Sequence, residues 1–303
     1  MSNLKTKRIQ LGDHATPSNN FVIRQPDTPD GKMHVGNGLL DSSNDIVTIT
    51  NTDGGRVGIG HDNPQKKLEV WTGNQELSHF GSNNANASGN YTGITLGYAE
   101  SGNQSYRKVG IVSAGTGDGA ARQNLHFLLD TIADGGSVDL NDTKMKIDYN
   151  GIVTMPSQPG FRAYVNANYT HPSGNVNISN TIAGLGYWSK SFDNQNNFNN
   201  STGLFTAPVD GMYSFSAGLN GNSNTSNITY FSCEFLINGG RTSITWFGNI
   251  KSGTSSYVAS NNATTFNLSA GDTVGLHSEI SASQVLLGSS NGSYSFFSGH
   301  LVG

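Results

Sequence analysis

Ser290 lies in "GSSNG" (288–292), the spacing of a nucleophile elbow, in which a serine on a strand-to-helix turn attacks an acyl carbon. That chemistry needs an aspartate and a histidine later in the chain; only His300 follows, and no Asp does. A Gly/Ser loop is the reading. "GTGDGA" (115–120) lacks the Lys-Ser/Thr that lets a glycine loop hold phosphate, so it too reads as a loop. The eight histidines (14, 34, 61, 79, 126, 171, 277, 300) show no metal-ligand spacing. Cys233 alternates with Phe231 and Phe235 and reads as a buried structural thiol. The carboxylates Asp118, Asp130, Asp134, Asp139 and Asp142 are close enough in sequence to supply the paired acids of glycan hydrolysis. A solvated or turn-capping role is the competing reading.

Binding chemistry has better candidates. "DNQNNFNNS" (193–201), "NGNSNTSN" (220–227), "NIKSGTSSY" (249–257) and "SSNGSY" (289–294) are dense in amides and hydroxyls. Such groups pair donors and acceptors with sugar hydroxyls. From these loops Asn197, Asn200, Asn222, Asn224, Ser255, Tyr257 and Asn291 are the expected receptor contacts. Trp188, Trp246, Tyr230 and Tyr257 offer flat faces for rings.

The elements that position these residues are strands. The chain has 303 residues, a net charge of −4, 13% charged residues, 39 glycines and one cysteine. This gives no global attraction to nucleic acid or anionic membrane. It also excludes an intrachain disulfide. Low charge with many Asn, Ser and Thr is common on extracellular β-rich proteins. No apolar run reaches the length of a membrane helix. "MSNLKTKRIQLGDHATP" has no apolar core, so it is not expected to be a signal peptide. "ARQNLHFLLDTIAD" (121–134) fits a helix or a buried strand equally.

Eleven of the fourteen phenylalanines lie at or after Phe161, so an ordinary core is expected only from about 160 onward. Pro156 and Pro159 mark the seam. Before it, "NDIVTITNTDGGRVGIG" (44–60) and "NDTKMKIDYNGIVTMPSQP" (141–159) both read strand, turn, strand. Asn150-Gly151 is a two-residue hairpin signal that brings Met145 and Ile147 against Val153 and Met155. Such a hairpin cannot bury itself, which implies assembly with further chains. After the seam, Tyr213, Phe215, Ala217 and Leu219 share one strand face, and Phe231, Cys233, Phe235 and Ile237 share another, ending at Asn238-Gly239. Repeated short strands of this kind imply a β-sandwich or jelly roll.

Two resemblances refine this. Residues 160–303 resemble the globular head of the complement C-one-q family, related to the tumour necrosis factor jelly roll. Its signature falls on Tyr187, Asp193, Phe198, Phe205, Gly211, Tyr213 and Phe215, with Tyr187 in place of the usual Phe and Ala217 in place of an aromatic. "TGLFTAPVDGMYSFS", "LSAGDTVGL" and "FFSGHLVG" are also similar to that family. Residues 1–159 resemble the attachment and shaft part of a bacteriophage tail fibre. The similarity lies in "LGDHATPSNNFVIRQPDTPDGKMHVGNG" and in "GRVGIGHDNPQKKLEV", which is similar to a recurrent fibre repeat. The glycines of 53–60 then belong to a strand and turn. A phosphate loop would want a long helix after it, and Pro64 followed by "QKKLEV" offers none.

The expected architecture is all-β: a virion-attachment segment (1–60), a β-rich shaft or intermediate domain (61–159) and a jelly-roll head (160–303). The resemblances imply a non-enzymatic homotrimeric tail fibre on a virion, docked on a tail or baseplate protein through its N-terminus. Its head would bind a host surface glycan or other receptor, with no nucleic acid partner and no membrane insertion. No cofactor is expected. Some relatives bind calcium, which points to Asp193 or Asp272, but no twelve-residue loop pattern supports it. The alternatives are a glycan-depolymerising tailspike using acids in 80–145, and a non-viral bacterial surface adhesin with the same head.

Overall fold

A computed structural model describes residues 8–11, 15–16, 20–25, 31–37, 45–50, 55–60, 63–71, 78–81, 86–98, 106–222, 228–249 and 257–303. The chain divides into two compact units, Met1–Asn83 and Asn84–Gly303.

The first unit is one six-stranded sheet in chain order. Its strands are β1 (Arg8–Leu11), β2 (Phe21–Arg24), β3 (Lys32–Asn37), β4 (Asp45–Thr50), β5 (Arg56–Ile59) and β6 (Leu68–Val70). Neighbours are antiparallel until β6, which pairs parallel to β5. The glycine-rich run at 55–60 is therefore a strand and its turns. Gly60 has φ +78°, and a Cβ on it would lie 2.5 Å from the Trp71 carbonyl oxygen. Only glycine lets the chain leave β5 with β6 returning so close.

The second unit begins with a five-stranded sheet: β7 (Tyr91–Leu96), β8 (Val109–Gly115), β9 (Gln123–Leu129), β10 (Thr143–Ile147) and β11 (Val153–Thr154). The segment open to two readings is strand β9, not helix. A small core of Val112, Leu128 and Val138 closes one face, with Leu140 against it. Ile147 stands opposite Val153, as the hairpin signal implied, but the turn is different. Gly151 has positive φ and Asn150 does not, so this is not the two-residue turn that Asn-Gly favours. The Asp148 carboxylate accepts the amide protons of Asn150 and Ile152 at 2.8 and 2.9 Å. That side-chain bonding holds a wider turn. At Asn238-Gly239 both residues have positive φ, and Ile237 pairs directly with Gly240. Here the two-residue turn forms.

The head follows. Its first half is β12 (Gly160–Val165), β13 (Tyr169–His171), β14 (Gly174–Asn177), α1 (Ile178–Gly184), β15 (Trp188–Asp193), β16 (Phe198–Asn199), β17 (Leu204–Thr206) and β18 (Gly211–Asn222). The second half is β19 (Tyr230–Ile237), β20 (Gly240–Asn249), β21 (Tyr257–Leu268), β22 (Thr273–Ile280), β23 (Gln284–Leu286) and β24 (Phe296–Leu301). One sheet runs β13-β23-β18-β24-β12-β15, with β21 on the other side of β18; the other runs β16-β17-β22-β19-β20, with β14 also on β22. The first and last strands are neighbours, as in a jelly roll. Alternation along β18 buries Tyr213, Phe215, Ala217 and Leu219 between the sheets. Phe161 stacks on Phe198 and Phe205 (both 5.0 Å between centroids) and meets Phe297 edge-on at 4.9 Å. Around this column, 26 buried hydrophobic residues among those described form one cluster.

The Pro156–Pro159 seam lies inside the second unit because it docks on the head. Gln158 donates its amide to the Leu301 carbonyl (2.8 Å), Gln195 to that of Ser157 (2.6 Å), and the Leu301 amide donates to the Pro159 carbonyl (3.0 Å).

Gly203 ties α1 to this core. It has φ +67°, and a Cβ would lie 2.5 Å from both the Ser179 carbonyl oxygen and Trp188 Nε1. Gly203→Ala is expected to destabilise the head by about 2 kcal/mol or more. Gly184→Ala, where a Cβ meets nothing within 4 Å, should leave the thermal midpoint near that of the parent. Equal midpoints for the two variants would refute this account of the α1–β17 junction.

Candidate functional site

Register decides which loops can work together. On β12, Gly160 pairs with His300 of β24, and Tyr213 of β18 pairs with Leu301. Both ends of the head's chain therefore lie at one end of the sandwich, the base. Asn222, at the other end of β18, pairs with Tyr257 of β21. Nine residues of extended strand, about 30 Å, separate the two ends.

At the far end, Tyr257 (66% exposed) and Tyr294 (44% exposed) flank a shallow groove of about 230 Å³. Gly221, Val258, Ala259 and Leu287 also line it, and Asn220 holds Tyr294 in place by donating its amide to the Tyr294 carbonyl at 2.9 Å. A Cβ on Gly221 would lie 2.3 Å from Gln284 Oε1, so the Gln284 amide would have to shift. Both amide atoms of Gln284, and Oδ1 of Asn222, are buried without a hydrogen-bonding partner. Unpaired buried polar groups are rare; Gln284 lies on the core-facing side beneath Gly221, and Asn222 stands opposite Tyr257 in the β18–β21 pair. The groove is small beside enclosed ligand pockets of about 300–1,000 Å³, so it suits one unit of an extended chain.

The seven expected contacts separate. Tyr257 lines the groove, and Asn222 is its strand partner at the end of β18. Asn291 is occupied in its own turn, its amide oxygen accepting from the Ser289 hydroxyl (2.7 Å) and the Ser293 amide (3.2 Å). Asn197 lies at the base, in the loop after Asp193, whereas Asn200 lies beside Trp188, level with the Val165 end of β12; both are half-buried. Asn200 donates to the Trp188 carbonyl at 3.2 Å, and the Asn197 carbonyl accepts from Thr206 at 2.8 Å. Neither lines the groove. Asn224 and Ser255 lie outside the described residues. Trp188 is a core residue, its indole donating to the Ser179 carbonyl at 3.1 Å. The Tyr230 hydroxyl donates to Glu279 at 3.3 Å. Tyr294 was not singled out in the sequence, where it sits in a Ser/Gly-rich run; its spacing from the strand pair Phe296 and Phe297 was the available signal.

The signature residues build the fold. Phe198, Phe205, Tyr213 and Phe215 are buried, and Tyr187 packs against them. The Tyr213 hydroxyl donates to the Val209 carbonyl at 2.9 Å. At Gly211 a Cβ would lie 2.7 Å from Leu301 Cδ1. Asp193 accepts from the amides of Asn197 and Phe198 and from Lys190 Nζ at 2.9, 3.1 and 3.0 Å. Asp272 accepts from the Ser269 amide and Asn238 at 2.8 and 2.9 Å. Among the described residues no three His, Cys, Asp or Glu side chains converge as a metal site.

The catalytic candidates are also placed. The Ser290 carbonyl accepts from Tyr164 at the far part of β12, whereas His300 is at the base, and no helix follows Ser290. Burial pushes the Cys233 thiol up, consistent with an inert side chain. Asp139 and Asp142 form a capping box around a 3-10 turn at Leu140–Asp142. Asp118 accepts from Ala120 and Arg122. Asp130 and Asp134 do share a site, but both hold Lys108 Nζ, at 2.5 and 2.8 Å. The lysine hydrogen bond, then a backbone amide, holds both carboxyls below the usual range. Glycan hydrolysis needs one acid kept protonated. This pair supplies none.

Sequence reasoning placed no charge in the head core, yet Glu234 on β19 is fully buried. Arg241 across the hairpin forks onto it at 2.7 and 2.8 Å, and the Ser232 hydroxyl donates at 3.0 Å. His277 Nδ1 stands 3.9 Å from Glu234, and burial, then Arg241, lowers its pKa.

Residues 177–302 match the family model of the C1q domain. They form a C1q-like domain. No curated protein matches the chain. Among solved structures, the globular domain of zebrafish complement 1qA is 16% identical, covering 48% of this chain and 98% of its own, with a TM-score of 0.34. Murine APRIL is 11% identical, covering 48% and 99%, with a TM-score of 0.35. The Eiger TNF of S. frugiperda is 13% identical, covering 48% and 94%, with a TM-score of 0.35. The C1q-like segment includes the groove and excludes β12 and β13.

Carboxyl titration by NMR should find Asp130 and Asp134 ionised throughout the weakly acidic range. Because their folded pKa values are depressed, they stabilise the fold above the ordinary carboxylate pKa and lose that contribution as pH falls through the folded values. Lys108→Met should move both titrations up. A native titration of either acid near neutral pH would restore it as a general acid.

Proposed function

We propose that this chain is a receptor-binding fibre of a bacteriophage: a non-enzymatic, self-associating adhesin that grips a host surface glycan through its C1q-like head. The groove between Tyr257 and Tyr294 carries the reading. It lies at the end of the sandwich opposite to where the chain arrives from residue 159, so a shaft at the base leaves it facing outward. Two aromatic rings with the Asn222 amide next to Tyr257 match the mixed apolar and hydroxylated faces of a sugar.

Residues 1–159 are proposed as virion attachment and shaft, on the strength of the fibre-like repeat at 56–70. Homotrimerisation is part of the same reading. The face bearing Met145 and Ile147 extends into the row Ile94, Ile111, Phe127, Met145, in which Ile94 is exposed and the other three are only half-buried, whereas Val138 packs on the other face. Three copies sharing one head cluster would multiply a weak groove by avidity.

The test is binding of the purified full chain to a panel of bacterial surface polysaccharides, with chain length followed at the same time. One or more should be bound and none shortened. Tyr257→Ala and Tyr294→Ala should each weaken single-site binding by about 3–10-fold, the worth of an aromatic contact of roughly 0.5–1.5 kcal/mol, with the thermal midpoint unchanged. Shortened polysaccharide would make the protein a depolymerase. Binding indifferent to both substitutions would remove the groove from recognition.

A further inference from the structure

The first sheet is built with its apolar side outward. Pairing places Ile9, Ile23, Val35, Val47, Ile59 and Val70 in one row across all six strands. A second row, Met33, Ile49, Val57 and Leu68, runs beside it, and Leu11 pairs with Phe21 at the edge. Strand alternation puts all twelve on the same face, and none is charged. Eight of the twelve are more than a third exposed. The opposite face holds the groups that are buried, Val22 together with the polar His34, Thr48 and Thr50. Val22 is the only buried large hydrophobic residue among the described residues of this unit.

We propose that this face is an interface between copies of the chain, a second site of self-association separate from the head. It rests on the self-association in the reading above, but locates it on particular residues. Six strands span about 24 Å at about 4.8 Å each, and the eight exposed side chains present roughly 700 Å² of apolar surface, near the about 800 Å² per partner that a stable interface buries. A monomer rarely leaves so large a contiguous patch uncovered. The occupant is another copy for a physical reason. With one buried hydrophobic residue on its polar side, the sheet has no core until the apolar face is covered, so the cover must be present when the sheet forms. A second copy of the chain meets that condition. Regular aliphatic rows are also self-complementary under rotation, as a symmetric interface requires. At one end of the sheet a groove of about 450 Å³ brings Ile9, Ile23, Met33 and Ile49 of this face together with Arg8, Arg24 and Lys32.

Spin labels on the full chain test the proposal, because the native Cys233 is fully buried and does not compete for label. Ile49→Cys and, independently, Met33→Cys place a label on the face; Gln10→Cys places one on the opposite side of β1. Labels at 49 and 33 should lie within about 20 Å of their counterparts in neighbouring copies, two sheet separations, and those at 10 should lie farther apart. Light scattering on the same samples gives the number of copies. An oligomer whose labels at 49 and 33 see no neighbour overturns this face while leaving self-association intact. A monomer overturns both. Labels at 49 and 33 that are immobilised only on adding phosphatidylcholine vesicles assign the face to lipid and overturn the proposal as well.

Discussion

The head depends on one contact, the stacking of Phe161 between Phe198 and Phe205 with Phe297 against its edge. Phe161 is on the first strand of the sandwich, Phe297 on the last, and Phe198 and Phe205 on the facing sheet. One ring therefore joins both sheets and both ends of the head's chain. Its partners must approach closely, which explains Gly299: a Cβ there would lie 2.4 Å from Phe215. Because the base is closed by aromatic packing, the far end is released from structural duty. Its strands end in amide-rich loops and an aromatic groove instead of more core.

Burial is unevenly divided along the chain. Among the described residues, the head places 26 buried hydrophobic residues in a single cluster, whereas the five-stranded sheet and its flanking turn bury four. Burying a large aliphatic or aromatic side chain contributes about 1.5–3 kcal/mol, and ordering each residue costs about 1–2 kcal/mol in backbone entropy. A sheet with one or four buried hydrophobic residues cannot offset that cost alone. Apolar rows on open faces and a self-sufficient head are two sides of the same distribution of phenylalanine.

Alternation made the head legible: Tyr213, Phe215, Ala217 and Leu219 could be read as one buried face, and the spaced signature pointed to a C1q-like sandwich. What sequence could not supply was register and end. Asn197 and Asn222 are chemically alike in similar loops, and only the pairing of β12 with β24 and of β18 with β21 shows that they lie at opposite ends. The two Asn-Gly pairs also look alike, but Asp148 redirects one turn through its carboxylate. Glu234 was unreadable for a related reason, since its compensating Arg241 lies across a hairpin. The row Ile9–Ile23–Val35–Val47 likewise exists only once four strands are paired.

The antiparallel placement of β12 between β24 and β15 has a mechanical consequence. Tension arriving from residue 159 pulls β12 lengthwise from its base end. Its ladder bonds to both neighbours lie across that direction, so they bear the load together in shear instead of opening one at a time like a zip. Failure then requires the whole of Gly160–Val165 to slip at once, dragging Phe161 out of its stack. The strand by which the head hangs is also the one hardest to peel from it.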